Sequence, residues 1–340
     1  MNNPFDKHIP SVFVICSPFQ ALCALAAIKN LEIANYTFFL IKGGASSRYR
    51  QLIEFVERHL LPYEEIVIST WFEKIWYYIK PLGCNKVGYR RLFVGDFRQH
   101  LFLRIGLCYV CDGSSVVYLD DGNATLALLS NMYRVSLKNK VVGGLNTLYL
   151  KVRRIERVLN VYSIYDDLKN PICNVEKNTI ENVVGRKGTQ ERSTLGVYIV
   201  GPAYQAYCDF FQIPYDSFLK YLDNLLLSYK QKYPLEPFYF IAHGRDNGER
   251  TKTICDNNGV EFIRPPMMVE LYMADLLTCP RLVVGFNSTA LFNIKKMMPD
   301  CRVLNVLVTS KNEHVDIREH EFIADYYKRH GIEYVKYIVD

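Results

Sequence analysis

No run of the sequence reaches the roughly 18 apolar residues of a membrane-spanning helix, and no early segment joins a basic start, an apolar stretch and a small-residue cleavage site. The chain is therefore expected to be cytoplasmic. Glycine and lysine never take the spacing of a P-loop, which argues against a nucleoside triphosphate. Cys108 and Cys111 form a Cys-x-x-Cys pair with no second pair or nearby His, so a structural zinc is not expected. A net charge of +6 on 340 residues falls short of a nucleic-acid-binding signature and favours an anionic small ligand or a membrane surface only slightly. Repeats at solenoid periods and low-complexity segments are absent.

What is present is apolar and aromatic. A hydrophobic fraction of 49% with 22% charged residues is that of a globular protein, and 340 residues suggest two domains with a cleft between them. The 25 Tyr and 19 Phe serve core packing first and ring-shaped ligands second. Ten scattered cysteines, several in apolar runs, fit reduced buried thiols.

Val116-Val117-Tyr118-Leu119-Asp120-Asp121-Gly122 reads as a buried parallel strand ending in a sharp turn. Ligands of open α/β sheets sit at such carboxyl ends, and a carboxylate beside a glycine there can take a proton from a hydroxyl. A solvated Asp-Gly turn is the plainer alternative. Earlier, the strand at 11–16 runs into Ser17-Pro18, an N-cap followed by a proline in the first helical turn. A second strand at 36–41 ends in a glycine- and serine-rich loop at 42–47, and the aromatic run Trp71 to Tyr78 is expected to be a helix packed on its apolar face. Between Tyr133 and Arg157 seven Lys and Arg are interleaved with apolar residues, either a solvated helix face or a stretch resting on an anionic membrane or phosphorylated acceptor.

Residues 185–192 read as a linker, dividing the chain into 1–188 and 189–340. Strands beyond it deliver His243 and Gly244, then Phe286-Asn287-Ser288-Thr289 ahead of a helix, a further strand is expected at 303–308, and the final stretch from about Glu319 is expected to be mainly helical. Asp121, His243 and Ser288-Thr289 at strand ends form a coherent set: a base, a donor to a leaving phosphate, and a helix N-terminus for the same phosphate. A structural histidine and a simple helix cap are the alternatives for the last two.

The order Asp120-Asp121-Gly122, His243 with Arg245, Glu270, then Ser288-Thr289 resembles the bacterial sialyltransferases, with their Asp/Glu-Asp-Gly, His-Pro and Ser-Ser/Thr motifs. Cys16-Ser17-Pro18-Phe19-Gln20-Ala21-Leu22 is similar to the first strand-helix junction of glycosyltransferase family 52. The resemblance implies an α/β fold of GT-B type, two Rossmann-like domains facing across a cleft, the first on the acceptor side and the second binding the CMP-sugar and ending in a helix. It implies transfer of sialic acid from CMP-N-acetylneuraminic acid to lipopolysaccharide, O-antigen or capsule at the inner face of a bacterial inner membrane. By the same resemblance Asp121 is the general base and His243 acts on the CMP phosphate. Ser288 and Thr289, with Asn287, hold that phosphate, Glu270 holds the ribose, Gly244 and Arg245 line the donor, and Asp120, Gly122, Ser17 and Gln20 support the site. Gly244 stands where the family has proline, which bears on the identity of the nucleotide.

No Asp-x-Asp occurs, so transfer is expected to need neither metal nor cofactor. Competing readings are a transferase of the same build using another CMP-linked nonulosonate, Kdo or a UDP-sugar, a sugar-nucleotide epimerase, and a non-catalytic subunit of a glycan-assembly complex. The partners implied are a CMP-sugar and an oligosaccharide or glycolipid acceptor, with peripheral contact to an anionic membrane and no nucleic acid.

Overall fold

The computed structural model describes residues 4–6, 8–42, 47–79, 88–130, 137–155, 159–165, 167–168, 170–184, 195–246, 248–276, 278–311 and 315–339. Most of the loop expected at 42–47 and the linker expected at 185–192 lie outside these residues, as do Arg134 and Arg157 of the basic stretch. The chain divides into two compact units, Met1–Gly185 and Arg186–Asp340.

In unit 1 the strands β1 (Ser11–Ile15), β2 (Tyr36–Lys42), β3 (Tyr63–Val67), β4 (Tyr89–Val94), β5 (Val110–Leu119), β6 (Leu159–Ser163) and β7 (Cys173–Lys177) form one parallel sheet, ordered β3-β2-β1-β4-β5-β6-β7. The helices between them are α1 (Pro18–Asn30), α2 (Ser47–Arg58), α3 (Trp71–Ile79), α4 (His100–Leu107), α5 (Asn123–Leu129) and α6 (Leu137–Val152), with α7 (Glu181–Val184) after β7. Helices on both faces explain why β1 is buried along its whole length and reads as a continuous apolar run after Ser11. Register fixes the core: Phe13 pairs with Phe38 on one side and Phe93 on the other, and the rings stack with centroids 5.0 and 4.4 Å apart.

Unit 2 repeats the design with β8 (Val197–Val200), β9 (Phe238–Ile241), β10 (Glu261–Ile263), β11 (Leu282–Gly285), β12 (Val303–Ser310) and β13 (Glu333–Val339), all parallel and ordered β10-β9-β8-β11-β12-β13. Its helices are α8 (Tyr204–Phe211), α9 (Tyr215–Lys232), α10 (Glu249–Asn257), α11 (Val269–Ala274), α12 (Thr289–Met297) and α13 (Arg318–Arg329). Both sheets have the doubly wound order of a Rossmann fold, whose strand order reverses at β1/β4 in unit 1 and at β8/β11 in unit 2. The expected α/β class with two Rossmann-like domains therefore holds.

Two expectations are corrected. The chain does not finish in a helix: after α13 it returns as β13, an edge strand beside β12 whose outer residues, including Lys336, stay half-exposed or exposed. Glu333 and Lys336 interrupt the apolar residues of this edge strand, as charged side chains commonly do at a sheet edge. Nor is α3 packed on its apolar face. It has no buried residue, and Trp71, Phe72, Trp76 and Ile79 are exposed. Its inward contacts come from Tyr77 and Tyr78: Tyr77 packs against the core, and the Arg104 guanidinium of α4 lies 5.9 Å from the Tyr78 ring centroid. Among the described residues no helix is long and apolar enough to cross a membrane.

Candidate active site

In unit 1 the side chains gather where the strand order reverses. Ser17 caps α1, its Oγ accepting from the Gln20 amide at 3.2 Å, and Pro18 opens the helix, so Gln20 is fixed on the first turn directly after β1. The Gln20 side chain accepts from the Cys16 amide through Oε1 and donates to Asp121 Oδ1 through Nε2, both at 2.9 Å. It crosses the end of β4 over Gly95. A Cβ on Gly95 would lie 2.3 Å from Gln20 Oε1, so the glycine makes room for the bridge from β1 to β5.

Asp121 follows β5 and is only slightly exposed. Besides Gln20 it pairs with Arg98, whose guanidinium also chelates Asp96 (Nε to Oδ1 2.9 Å, Nη2 to Oδ2 3.1 Å). Its backbone N–H donates to Thr125 Oγ1 at 2.9 Å. Burial raises the Asp121 pKa, the Asp96 charge adds to this, and Arg98, the Gln20 hydrogen bond and Arg48 of α2 oppose it. A carboxylate with a raised pKa, one partner on each oxygen and some exposure retains a lone pair for an incoming hydroxyl proton. Arg98 and Asp96 were not singled out by sequence reasoning; the Gly95-Asp96 that ends β4 repeats the strand-then-acid pattern of β5 and is the signal that could have found them.

Asp120 faces the other way. It is fully buried and accepts from Ser163 Oγ (2.7 Å), the Ile164 amide (2.8 Å) and Asn178 Nδ2 (3.4 Å), tying β5 to the ends of β6 and β7. Burial pushes its pKa up to about 7 against the pull of those donors. Gly122 has φ 67° and ψ −138°, a region open almost only to glycine, and turns the chain into α5. Gly122→Ala is expected to cost about 1–3 kcal/mol and to displace Asp121, read as a lowered Tm of unit 1 together with lost activity.

In unit 2 the reversal point lies between Gly201, after β8, and Gly285, at the end of β11. Gly201 is crowded by the Phe240 ring, 2.5 Å from where a Cβ would stand. Asn287 follows with φ 48°, a left-handed conformation that asparagine tolerates, and three contacts hold it. Its N–H donates to Asn305 Oδ1 (2.8 Å), its Oδ1 accepts from Asn305 Nδ2 (3.2 Å), and its Nδ2 meets His320 Nδ1 (2.6 Å). His320 of α13 is packed against Phe210 and Phe211, and burial lowers its pKa to about 4, which keeps it neutral. With Nδ1 accepting from that amide, the His320 proton is on Nε2. Asn305 was missed because it interrupts the apolar run of β12, and His320 because it is one polar residue among many on α13. Ser288 caps α12, its Oγ accepting from the Ala290 amide at 3.3 Å while its own O–H stays available to an anion; Ser288 and Thr289 are both half-buried.

His243 leaves β9 on the same carboxyl edge, across β8 from Ser288. Its Nδ1 accepts from the Arg245 amide at 3.1 Å, which puts the ring proton on Nε2. Gly244 and Arg245 are exposed, and the buried Asp246 fastens the loop by accepting from Gly248 N (2.9 Å) and Thr251 Oγ1 (3.1 Å). Glu270 of α11 is buried, accepts from Asn293 Nδ2 of α12 at 3.0 Å, and has its pKa raised by burial.

Each unit thus collects its own candidates: Asp121, Gln20 and Ser17 with Arg98 and Asp96 in unit 1; His243, Ser288, Thr289, Asn287 and Glu270 in unit 2. No protein-family model and no curated protein matches the chain. Among solved structures it is similar to the crystal structure of MurG from Acinetobacter baumannii, at 10% identity and a TM-score of 0.45, over 96% of this chain and 86% of that one. A likeness of that size decides neither chemistry nor substrate. Among the described residues no group of three or more His, Cys, Asp or Glu could hold a metal ion. Cys108 ends α4 with its Sγ on the Arg104 carbonyl (3.5 Å), and Cys111 sits on β5.

Proposed function

We propose that the protein is an inverting, metal-independent glycosyltransferase of GT-B type that moves N-acetylneuraminic acid from its CMP donor to a sugar hydroxyl of a bacterial surface glycan. The observation that carries the reading is Asp121: a strand-end carboxylate of raised pKa, aimed by Gln20 and Arg98 at the reversal point of a Rossmann sheet. Asp121 takes the acceptor hydroxyl proton as that oxygen attacks the anomeric carbon. The bond from that carbon to the phosphate oxygen breaks, and CMP leaves with the electron pair. His243 Nε2–H and the Ser288 hydroxyl at the start of α12 donate to the phosphate, so that its developing charge meets fixed donors. The single phosphate of a CMP-sugar suits this set, and the lack of Asp-x-Asp supports operation without a metal.

The deciding experiment follows CMP release from CMP-N-acetylneuraminic acid by the full chain in EDTA, with a panel of galactosides as acceptors. CMP-Kdo and UDP-sugars are run in parallel, because Gly244 replaces the proline of the resembled family. Turnover with the sialic acid donor, lost in His243→Ala, is the expected result. Turnover with another donor alone overturns the sialyl assignment, and donor isomerised without acceptor identifies an epimerase.

A further inference from the structure

Helix α3 is an amphipathic helix that turns large apolar side chains outward, and among the described residues none buries them. Trp71, Ile75 and Ile79 stand one turn apart on it, flanked by Phe72 and Trp76, and none is buried. Beside it, α6 shows a second unpartnered apolar stripe, with Leu145 59%, Leu148 60% and Val152 69% exposed. The two helices are neighbours across α4: the Arg104 guanidinium lies 5.9 Å from the Tyr78 ring centroid of α3 and 4.2 Å from that of Tyr149 of α6. Monomeric proteins seldom leave so many large apolar side chains together on one surface without a partner for them.

Charge identifies the partner. Residues 1–185 hold 22 Lys and Arg against 16 Asp and Glu, and residues 186–340 hold 19 of each, so the whole net charge of +6 belongs to unit 1. Helix α6 contains three Lys and no acid, and Lys151 is exposed beside the stripe of Leu148 and Val152. Tryptophan flanked by lysine on an apolar helix face is the chemistry of a lipid interface, where the indole rests at the headgroups and the ammonium meets lipid phosphate. A second copy of this chain would bring the same positive charge to the contact.

We propose that the α3–α6 surface docks unit 1 onto an anionic lipid bilayer, with Trp71, Phe72, Trp76 and Ile79 entering the interface and Lys151 of α6 meeting the headgroups. The inference is independent of the chemistry proposed above. It would place an enzyme lacking any described membrane-crossing helix beside lipid-borne acceptors.

The protein carries its own reporter, because Trp71 and Trp76 are its only two tryptophans and both are on α3. The full chain is mixed with vesicles of phosphatidylcholine alone and of phosphatidylcholine with phosphatidylglycerol, and followed by emission and co-flotation. The expected result is a blue-shifted emission and flotation with the anionic vesicles, weakened by salt. Phe72→Ser with Ile79→Ser, which keeps both reporters, should lower partitioning at least tenfold, and Lys151→Gln about fivefold at low salt. Leu235→Ser, at an isolated exposed residue of unit 2, should change nothing. Circular dichroism controls for folding, and CMP release from the donor in the presence of a soluble acceptor should survive all three variants. No shift and no flotation at low salt overturns the proposal. So does a blue shift that grows with protein concentration in the absence of lipid, which would identify self-association.

Discussion

Asp121→Asn should lower turnover by about 10²–10⁴-fold, the range lost with a positioned general base, at little cost in Tm. The pH profile separates this from a structural ion pair. A base works deprotonated, so kcat/KM falls as pH drops through its pKa, and burial with the neighbouring Asp96 sets that limb above the ordinary aspartate value. Asp96→Asn removes a like charge and should move the limb to lower pH. Arg98→Gln removes the cation that opposes the rise and should move it to higher pH. An Asp121 whose role is only to hold Arg98 would give Asp121→Asn and Arg98→Gln matching losses of stability and no displaced limb. A limb that stays put in both charge variants would remove Asp121 from the chemistry.

Asp120→Ala is expected to produce the largest loss of stability, about 3 kcal/mol in unit 1, because it strips an acceptor from three donors out of reach of water. Asp120→Asn is no rescue, since an amide nitrogen would meet one of the same donors. The carboxyl also leaves a signature in pH. Its folded pKa of about 7 lies above the ordinary aspartate value of 3.8, so between the two the folded state holds a proton that the unfolded state has released. That contribution favours the fold fully below the lower value and is lost as pH rises through the upper one. Unit 1 should therefore lose stability between about pH 4 and 7 from this group, and the variant should lose that slope. A Tm that tracks wild type across this range would show that the carboxyl ionises normally.

How far these roles can be read from sequence depends on the kind of signal each residue leaves. The centres of both sheets were legible because buried parallel strands read as apolar runs: β1 and β2 fall at the strands expected at 11–16 and 36–41, β9 and β11 end where strands were expected to deliver His243 and Phe286, and Ser17-Pro18 starts α1 where the N-cap pattern puts it. Asp120 and Asp121 are adjacent and chemically identical in sequence. Alternation along a strand turns one to the β6–β7 junction and the other to the reversal point, and the partners that hold each of them are visible only in the fold. Arg98 was invisible for a related reason, since its partner lies 23 residues on and meets it only once β4 and β5 pair. The apolar face of α3 was visible, but periodicity marks a face without saying what covers it.

No strand of either sheet is borrowed from the other. Every residue of the first sheet precedes Gly185, and every residue of the second follows Arg186. During synthesis the whole acid-bearing unit is available to fold before Val197 has been made, and its first strand, β1, becomes a central strand rather than an edge waiting for later chain. An Asp120 substitution acts on contacts that lie wholly within the first unit. For a chain of two such units, unfolding is to be followed with a probe in each half rather than as one two-state transition.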